Sequence, residues 1–313
     1  MADKIATREA YGNALAEFGE KYENLVVLDA DLAAATKTGT FKKKFPDRFF
    51  DCGIAEGNMV TVAAGLSTAG FIPFASSFAM FAAGRAFEQV RNAIGYPHLN
   101  VKIGATHAGI SVGEDGATHQ CLEDFATMRS IPGMVVMQPA DAVEARAMVE
   151  AAINYVGPCY MRFGRFAVPT LFDADYKFEI GKGVVMADGK DVTLVATGLL
   201  VEQALIARDL LANEGISAKV VNIHTIKPLD EELILSCAAE TGAIVTCEEH
   251  NYIGGLGSAV CECTAGAKPV PVLRVGVEDQ FGRSGKVPPL LDMYGLTAAH
   301  IVAKAKAAIA LKK

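Results

Sequence analysis

Short apolar runs that alternate with helical patterns constrain the fold of this chain more than any other feature of its sequence. Segments such as NLVVLDADL (24–32), VKIGATH (101–107) and DVTLVATG (191–198) have the length and composition of buried strands. Longer segments with helical spacing separate them. Strands that are apolar throughout, with helices between them, are typical of parallel sheets covered on both faces. The sequence therefore predicts an α/β fold.

The alternation is interrupted once, in the segment VPTLFDADYKFEIGKG (168–183), which loses periodicity and collects Asp, Lys and Gly. A chain of 313 residues is also longer than one typical domain. We predict two consecutive α/β domains, each a mainly parallel sheet flanked by helices. The first covers residues 1–172, a linker covers 173–189, and the second domain covers 190–313.

Charge, cysteine usage and hydropathy exclude several classes of protein. The net charge of −7 and the lack of a long basic run argue against a nucleic-acid partner. The seven cysteines show no CxxC spacing and are typical of reduced thiols in a cytoplasmic protein. The most apolar long stretch, 59–84, is interrupted by Pro73 and by Ser, Thr and Gly, so we predict buried core there and no membrane span.

Unusual residues cluster where the predicted strands of the first domain end. They are Asp29, Asp31, Glu56, residues 76–81 and residues 107–119. In α/β sheets, ligands bind beyond the carboxyl ends of the strands, so one face of this domain is predicted to be a site. Taken alone, these residues also have ordinary structural interpretations. Glu56 could be a glutamate in the first turn of a helix, and Phe78 and Phe81 could pack together in the hydrophobic core.

The loop THAGISVGEDGATHQ (106–120) carries two histidines and two carboxylates in a glycine-rich frame. Such a loop is not expected in a packed core, because ordering glycine costs conformational entropy and burying an unpaired charge costs free energy of desolvation. The residues are compatible with a metal, a phosphate, or a substrate that gains and loses protons.

Five stretches resemble the pyrimidine-binding domain of transketolase: GIAEGNM (53–59), SSFAMFAAGRAFEQVRNA (76–93), the loop 106–120, PGMVVMQPAD (132–141) and GPCYMRFGR (157–165). Residues 190–313, with EEHNYIGGLGSAV (248–260), resemble the C-terminal domain of that family. The resemblance covers essentially the whole chain. It implies thiamine diphosphate and Mg²⁺ as cofactors, and transfer of a two-carbon ketol unit from a ketose phosphate to an aldose phosphate.

The sequence has no GDG motif, which helps to hold Mg²⁺ in the diphosphate-binding domain of a complete transketolase. The resemblance therefore implies the C-terminal subunit of a split transketolase. An N-terminal partner subunit would hold the diphosphate and Mg²⁺, and this chain would supply no metal ligand. The expected assembly is a homodimer of this chain within an α2β2 complex.

The resemblance also implies roles for single residues. Glu56 would bind N1′ of the cofactor's aminopyrimidine, Phe78 and Phe81 would stack on that ring from one helix start, and Asp31 would lie near the cofactor. His107 and His119 would move substrate protons, and Asp115 would recognise the C2 hydroxyl. Arg8 and Arg165 would bind the substrate phosphate, since a guanidinium suits an anion.

Three positions depart from the family pattern. Gly57 replaces a frequent histidine, and Gly84 replaces a third aromatic residue. Ala35 stands where the family has a phosphate-contacting serine, so that either Thr36 replaces it or the acceptor is not the usual aldose phosphate.

Three alternatives remain open from the sequence. The β subunit of a 2-oxoacid dehydrogenase has the same layout but lacks the GEDG loop and delivers acyl groups to a lipoyl arm. A fragment of 1-deoxyxylulose-5-phosphate synthase is the second, and a non-catalytic assembly or regulatory subunit is the third.

Overall fold

Two mainly parallel sheets organise residues 4–312, the part of the chain described by a computed structural model. The strands, numbered along the chain, are β1 (Lys4–Ala6), β2 (Leu25–Asp29), β3 (Phe49–Asp51), β4 (Ile72–Phe78), β5 (Lys102–Thr106), β6 (Val135–Met137), β7 (Cys159–Arg162), β8 (Ala167–Pro169), β9 (Val184–Ala187), β10 (Val192–Ala196), β11 (Ala218–Asn222), β12 (Thr225–Lys227), β13 (Ile244–Asn251) and β14 (Val272–Val277).

The α-helices flank these sheets and alternate with the strands along the sequence. They are α1 (Thr7–Lys21), α2 (Ala33–Thr36), α3 (Gly39–Lys44), α4 (Glu56–Thr68), α5 (Phe87–Gln89), α6 (Asp124–Arg129), α7 (Ala142–Asn154), α8 (Leu200–Asn213), α9 (Glu231–Thr241), α10 (Leu256–Ala267), α11 (Val287–Met293) and α12 (Ala298–Ala310).

The first sheet has the strand order β12-β6-β7-β5-β4-β2-β3, and all its pairings are parallel except that of β12 with β6. The second sheet has the order β14-β13-β10-β11-β9, with β9 as its antiparallel edge. The small pair β1 and β8 is antiparallel. The predicted architecture, two α/β domains with mainly parallel sheets, is confirmed.

Two edge strands differ from the sequence-based division of the chain. β9 lies inside the segment predicted as the linker, and β12 comes from the second domain but pairs with β6 of the first sheet. Both are short antiparallel edge strands. A short edge strand is only partly covered by helices, and so it does not show the continuous apolar run that identifies a central parallel strand.

The two domains share part of their hydrophobic core. One buried cluster lies between the first sheet and helices α1, α3 and α7, and another lies between the second sheet and helices α8 and α12. A third cluster runs from α4 and the first sheet to strand and helix residues of the second domain, including Val195, Ile223 and Leu256. Because this core is continuous, packing of the second domain can hold residues of the first domain in position.

Residues 78–95, whose spacing of apolar residues is typical of a helix, form an irregular segment. Phe78 ends β4, and Met80–Arg85 and Val90–Gly95 are π-helical on either side of α5. In the first of these turns, the Ala86 N–H donates to the Phe81 carbonyl at 3.1 Å. π-helical turns are rare and frequently occur at functional sites. Within residues 4–312, every helix is too short or too polar to cross a bilayer.

Candidate active site

Three chain segments meet at the carboxyl end of the first sheet. The register of β4 and β5 places Phe78 opposite Thr106, so His107 comes next to the Phe78 ring. Glu56 begins α4 soon after the edge strand β3, which pairs with β2, and its side chain is 1% exposed. The strand ends that were singled out in the sequence therefore come together, as expected for parallel strands.

Four rings form the apolar part of the site. The Phe78 ring stacks on the His107 imidazole with centroids 3.8 Å apart and is nearly parallel to Phe81, with centroids 5.9 Å apart and planes at 11°. His119 meets Phe81 edge-on at 5.4 Å. The prediction that both phenylalanines lie on one helix start was wrong, since Phe78 is the last residue of β4. Their rings still lie together, because the chain turns into the helix at Ala79.

Glu56 is paired with an arginine that the sequence analysis did not single out. Nη1 of Arg85 donates to both carboxylate oxygens of Glu56 at 3.0 Å, and the guanidinium lies 4.6 Å from the centre of the Phe81 ring. The Arg85 side chain is 54% exposed, whereas Glu56 is buried. The pocket thus already holds a planar group with N–H donors, stacked on Phe81 and hydrogen-bonded to Glu56.

His107 is a neutral imidazole with a defined tautomer. Nη1 of Arg8 lies 2.9 Å from Nε2, and the Thr106 hydroxyl lies 2.9 Å from Nδ1. Because a guanidinium can only donate, Nε2 is the acceptor and Nδ1 carries the proton. Burial, together with the nearby Arg8 and Arg165 charges, lowers the pKa of His107 to about 3. Its φ of 55° is unusual for a residue other than glycine and is typical of strained functional sites.

Three cationic side chains act on His107. The pKa of Arg8 is lowered by burial and by the charge of Arg165, and Lys37 adds a third positive charge to the field at His107. Nη1 of Arg165 donates to the Val112 carbonyl and, at 3.3 Å, to the exposed Glu114. Positive charges that lie close together repel each other, and a bound anion would relieve this repulsion. Such a cluster is therefore typical of a binding site for an anion.

The remaining predicted residues are exposed or half-buried. Asp115 is exposed at the end of a turn over Ile110–Asp115, and its charge acts on Arg8. His119 is half-buried, with Nδ1 2.9 Å from the Thr118 hydroxyl. Asp31 is exposed after β2 with a φ of 62°, and its N–H donates to Asp51. The structure places Asp31 beside the ends of β2 and β3 and the other two on the loop 106–120.

The departures from the family pattern each have a local explanation. The Ala35 carbonyl accepts a hydrogen bond from Arg8 at 2.8 Å, so the backbone makes a contact here that orients the arginine. Thr36 is buried and donates to Asp29 at 2.7 Å, which rules out its replacing the serine in this conformation. A Cβ on Gly57 would lie 3.2 Å from the Gln89 amide, and Met80 packs beside Gly84.

A buried arginine of the first domain, itself in an ion pair, is hydrogen-bonded to the second domain. Arg162, at the end of β7, donates through Nε to Asp124 at 2.8 Å and through Nη2 to the Glu249 carbonyl at 2.8 Å. Arg162 and Asp124 are both completely buried. The sequence analysis missed Lys37, Arg85, Arg162 and Glu249. A charged residue inside the strand CYMR was the one available signal for this buried pair.

Potential metal ligands are dispersed over residues 4–312. This part of the chain contains no group of three or more His, Cys, Asp or Glu side chains that could hold a metal ion. The chain's seven cysteines are free thiols.

Comparison with known proteins places these residues in a family. Residues 3–170 match the transketolase pyrimidine-binding domain, and residues 181–301 match the transketolase C-terminal domain. A subunit of a 6-deoxy-6-sulfo-D-fructose transketolase from a Clostridium strain is 44% identical, and the match covers 94% of this chain and 92% of that subunit. Rat transketolase is 41% identical over 98% of this chain, which spans 49% of the rat enzyme.

A solved structure has the same fold along the whole chain. It is a split-gene transketolase described as an inactive β4 tetramer, 54% identical to this chain. The match covers 99% of this chain and 100% of that one, with a TM-score of 0.93. The chain belongs to the thiamine-diphosphate-dependent transketolase family, and it resembles the C-terminal subunits of split transketolases along its whole length.

Proposed function

We propose that this chain supplies the pyrimidine-binding and substrate-binding half of a transketolase that transfers a two-carbon ketol unit between sugars. A partner subunit would supply the diphosphate and Mg²⁺ site. The observation that carries this proposal is the arrangement of Glu56, Phe81 and Arg85, in which a planar group with N–H donors stacks on Phe81 and binds the buried carboxylate. An aminopyrimidine that is protonated at N1′ presents the same two features, so the residues fit the cofactor.

Glu56, Phe78 and Phe81 would hold the aminopyrimidine end of thiamine diphosphate. When bound, this cofactor supplies the carbon nucleophile that accepts the ketol unit. Glu56 would keep a proton at the ring nitrogen N1′, and the phenylalanine rings would exclude water from that hydrogen bond. Arg85 and the aminopyrimidine cannot both occupy the Phe81 face and Glu56. Arg85 would therefore swing outward, towards the solvent that it already reaches.

On the substrate side, neutral His107 offers Nε2 as an acceptor for a hydroxyl proton once Arg8 turns towards an anion. His119, which meets Phe81 edge-on, would share this proton traffic, and Asp115 would bind the C2 hydroxyl. Each group is proposed to act directly on the sugar. Burial, together with the charges of Arg8 and Arg165, keeps His107 uncharged, which is the state that an acceptor requires.

The cation cluster of Arg8, Lys37 and Arg165 fits a sugar with a terminal anion. One similar protein is named for a sulfo-sugar, so the anion is proposed to be a phosphate or a sulfonate. The same cluster favours ketol transfer over the 2-oxoacid dehydrogenase alternative. Acyl transfer to a lipoyl arm has no phosphorylated sugar to bind.

We expect the isolated chain to be inactive and to gain activity in an α2β2 complex. Stacking and one hydrogen bond stabilise a bound aminopyrimidine by only a few kcal/mol, which corresponds to roughly millimolar affinity at best. The similar chain solved as an inactive β4 tetramer supports this expectation.

Calorimetry with thiamine diphosphate and Mg²⁺ tests the division of labour. The isolated chain should show no tight binding, and tight binding should appear when the co-purified partner is added. A screen of sugar phosphates and sugar sulfonates with the complex would identify the substrates. Micromolar binding together with ketol transfer by the isolated chain would contradict the proposal.

A further inference from the structure

The loop that follows β5, residues 107–123, is held from both domains. On the first-domain side, the Gly109 N–H donates to the Cys121 carbonyl at 2.9 Å and closes the base of the loop. On the second-domain side, the loop packs against residues 282–287, where Nε2 of Gln120 donates to the Arg283 carbonyl at 3.0 Å. The loop carries His107, Asp115 and His119, so its shape sets the distances between them.

Glu249 reaches into the base of this loop from the middle of β13. Its side chain is 1% exposed, and its carboxylate accepts a hydrogen bond from the Ser111 N–H. Gly109 lies directly against the same carboxylate: its φ is 82°, and a Cβ there would overlap the Glu249 carboxyl group. A residue of the second domain thus fills the space that a side chain at Gly109 would otherwise take.

The backbone of Glu249 is fixed as firmly as its side chain. Its carbonyl accepts from Arg162 at 2.8 Å, and the same guanidinium nitrogen of Arg162 lies 3.3 Å from the Cys121 carbonyl. Arg162 is itself paired with the buried Asp124. Glu249 therefore rests on a rigid, fully buried support, and it touches the loop two residues after His107.

We propose that Glu249 is a positioning residue for the reaction: by holding Gly109–Ser111, it fixes His107 relative to Asp115 and His119. The second domain then sets the geometry of the substrate side of a site whose other residues belong to the first domain. The inference rests on the proposed function, because it assigns the substrate side to this loop.

The neighbouring Glu248 provides a matched control. It is also completely buried, but it accepts from the N–H groups of Leu256 and Gly257 at 2.7 and 2.8 Å, in the first turn of α10. Burial raises the pKa of both Glu248 and Glu249 to about 7. Changing either residue to glutamine therefore alters the same chemical group at the same burial, and only Glu249 contacts the loop.

The test compares Glu249→Gln, Glu249→Asp and Glu248→Gln in the complex with the partner. Above pH 7, where the Glu249 carboxyl is charged, Glu249→Gln replaces the carboxylate acceptor of the Ser111 N–H by a neutral amide oxygen, which makes a weaker hydrogen bond. The variant should lower kcat/KM by about 10-fold, with a raised KM for the acceptor sugar. Glu249→Asp keeps the charge and should recover part of the loss. Glu248→Gln should keep KM within about twofold of the wild-type value.

Hydrogen exchange on the isolated chain supplies a readout that needs no activity. Glu249→Gln should speed exchange in residues 109–116, and Glu248→Gln should speed exchange only in residues 256–262. An unchanged KM and unchanged exchange in 109–116 for Glu249→Gln would overturn the proposal. If the wild-type complex transferred no ketol unit, the proposed function would fail, whereas the exchange pattern would still decide whether Glu249 holds the loop.

Discussion

The carboxyl ends of the two parallel sheets have the same architecture and different environments. In the first sheet, the residues after β2, β4 and β5 surround an open site with aromatic rings and clustered cations. In the second sheet, the strand ends are covered by the first domain. Asn222 at the end of β11 donates to Glu144 of α7 at 2.8 Å, and Gly198 after β10 lies against Gln138.

Two buried carboxylates of the second sheet accept hydrogen bonds from backbone groups. Glu248 accepts two N–H groups of α10, and Glu249 accepts one from the loop 107–123. The strand ends of an α/β sheet are therefore a place where a site can form, and neighbouring structure decides whether one is left open. This difference makes three predictions, ordered by the size of the expected effect.

Glu56→Gln should have the largest effect and should act on turnover. The amide cannot share a proton with the aminopyrimidine as a carboxyl group does, and acid–base groups typically contribute ~10²–10⁴-fold. The control is Glu88→Gln, an exposed carboxylate on α5 that bonds to Gln89 and Asn92. Turnover by the assembled enzyme at saturating cofactor is the measurement. Near-full activity of Glu56→Gln would remove Glu56 from the mechanism.

Arg165→Gln should raise KM for sugars with a terminal anion. KM for sugars without a terminal anion should change little. A charge-assisted contact contributes about 2–3 kcal/mol, or roughly 30–150-fold in KM. Arg165 also donates to the loop at Val112, so a purely structural role would change both substrate classes equally. Arg146→Gln, at an exposed pair with Glu17, is the control and should change neither. Steady-state kinetics with matched pairs of sugars distinguishes the two outcomes.

Glu248→Gln should affect stability and its pH dependence. Burial raises the pKa of Glu248 to about 7 in the folded state, against an ordinary value of 4.5, so the folded protein binds more protons between these values. The stability that this carboxyl contributes is present below pH 4.5 and is lost as pH rises through 7. The glutamine variant lacks this pH dependence. Between pH 5 and pH 7, its free energy of unfolding should therefore rise by about 2 kcal/mol relative to that of wild type.

Urea unfolding of both proteins at the two pH values measures this gain. Glu232 of α9, whose side chain is 91% exposed, offers a further control, since the stability profile of Glu232→Gln should run parallel to that of wild type. A Glu248→Gln profile that also runs parallel to wild type would show that the buried carboxyl does not titrate in this range.

The sequence by itself determined the two α/β domains, because a strand buried on both faces must be apolar along its length and a helix must repeat every 3.6 residues. It also predicted a candidate site, since Glu56, His107 and Asp115 follow strands, and Phe78 ends one, at the edge where the carboxyl ends of the parallel strands meet. Pairings between residues that are far apart in the sequence were decided only by the tertiary structure. Arg85 pairs with Glu56 across 29 residues, and Glu249 supports Ser111 across 138. The charges of Arg8 and Arg165 are combined around His107 by the fold, and no local pattern encodes such long-range pairings.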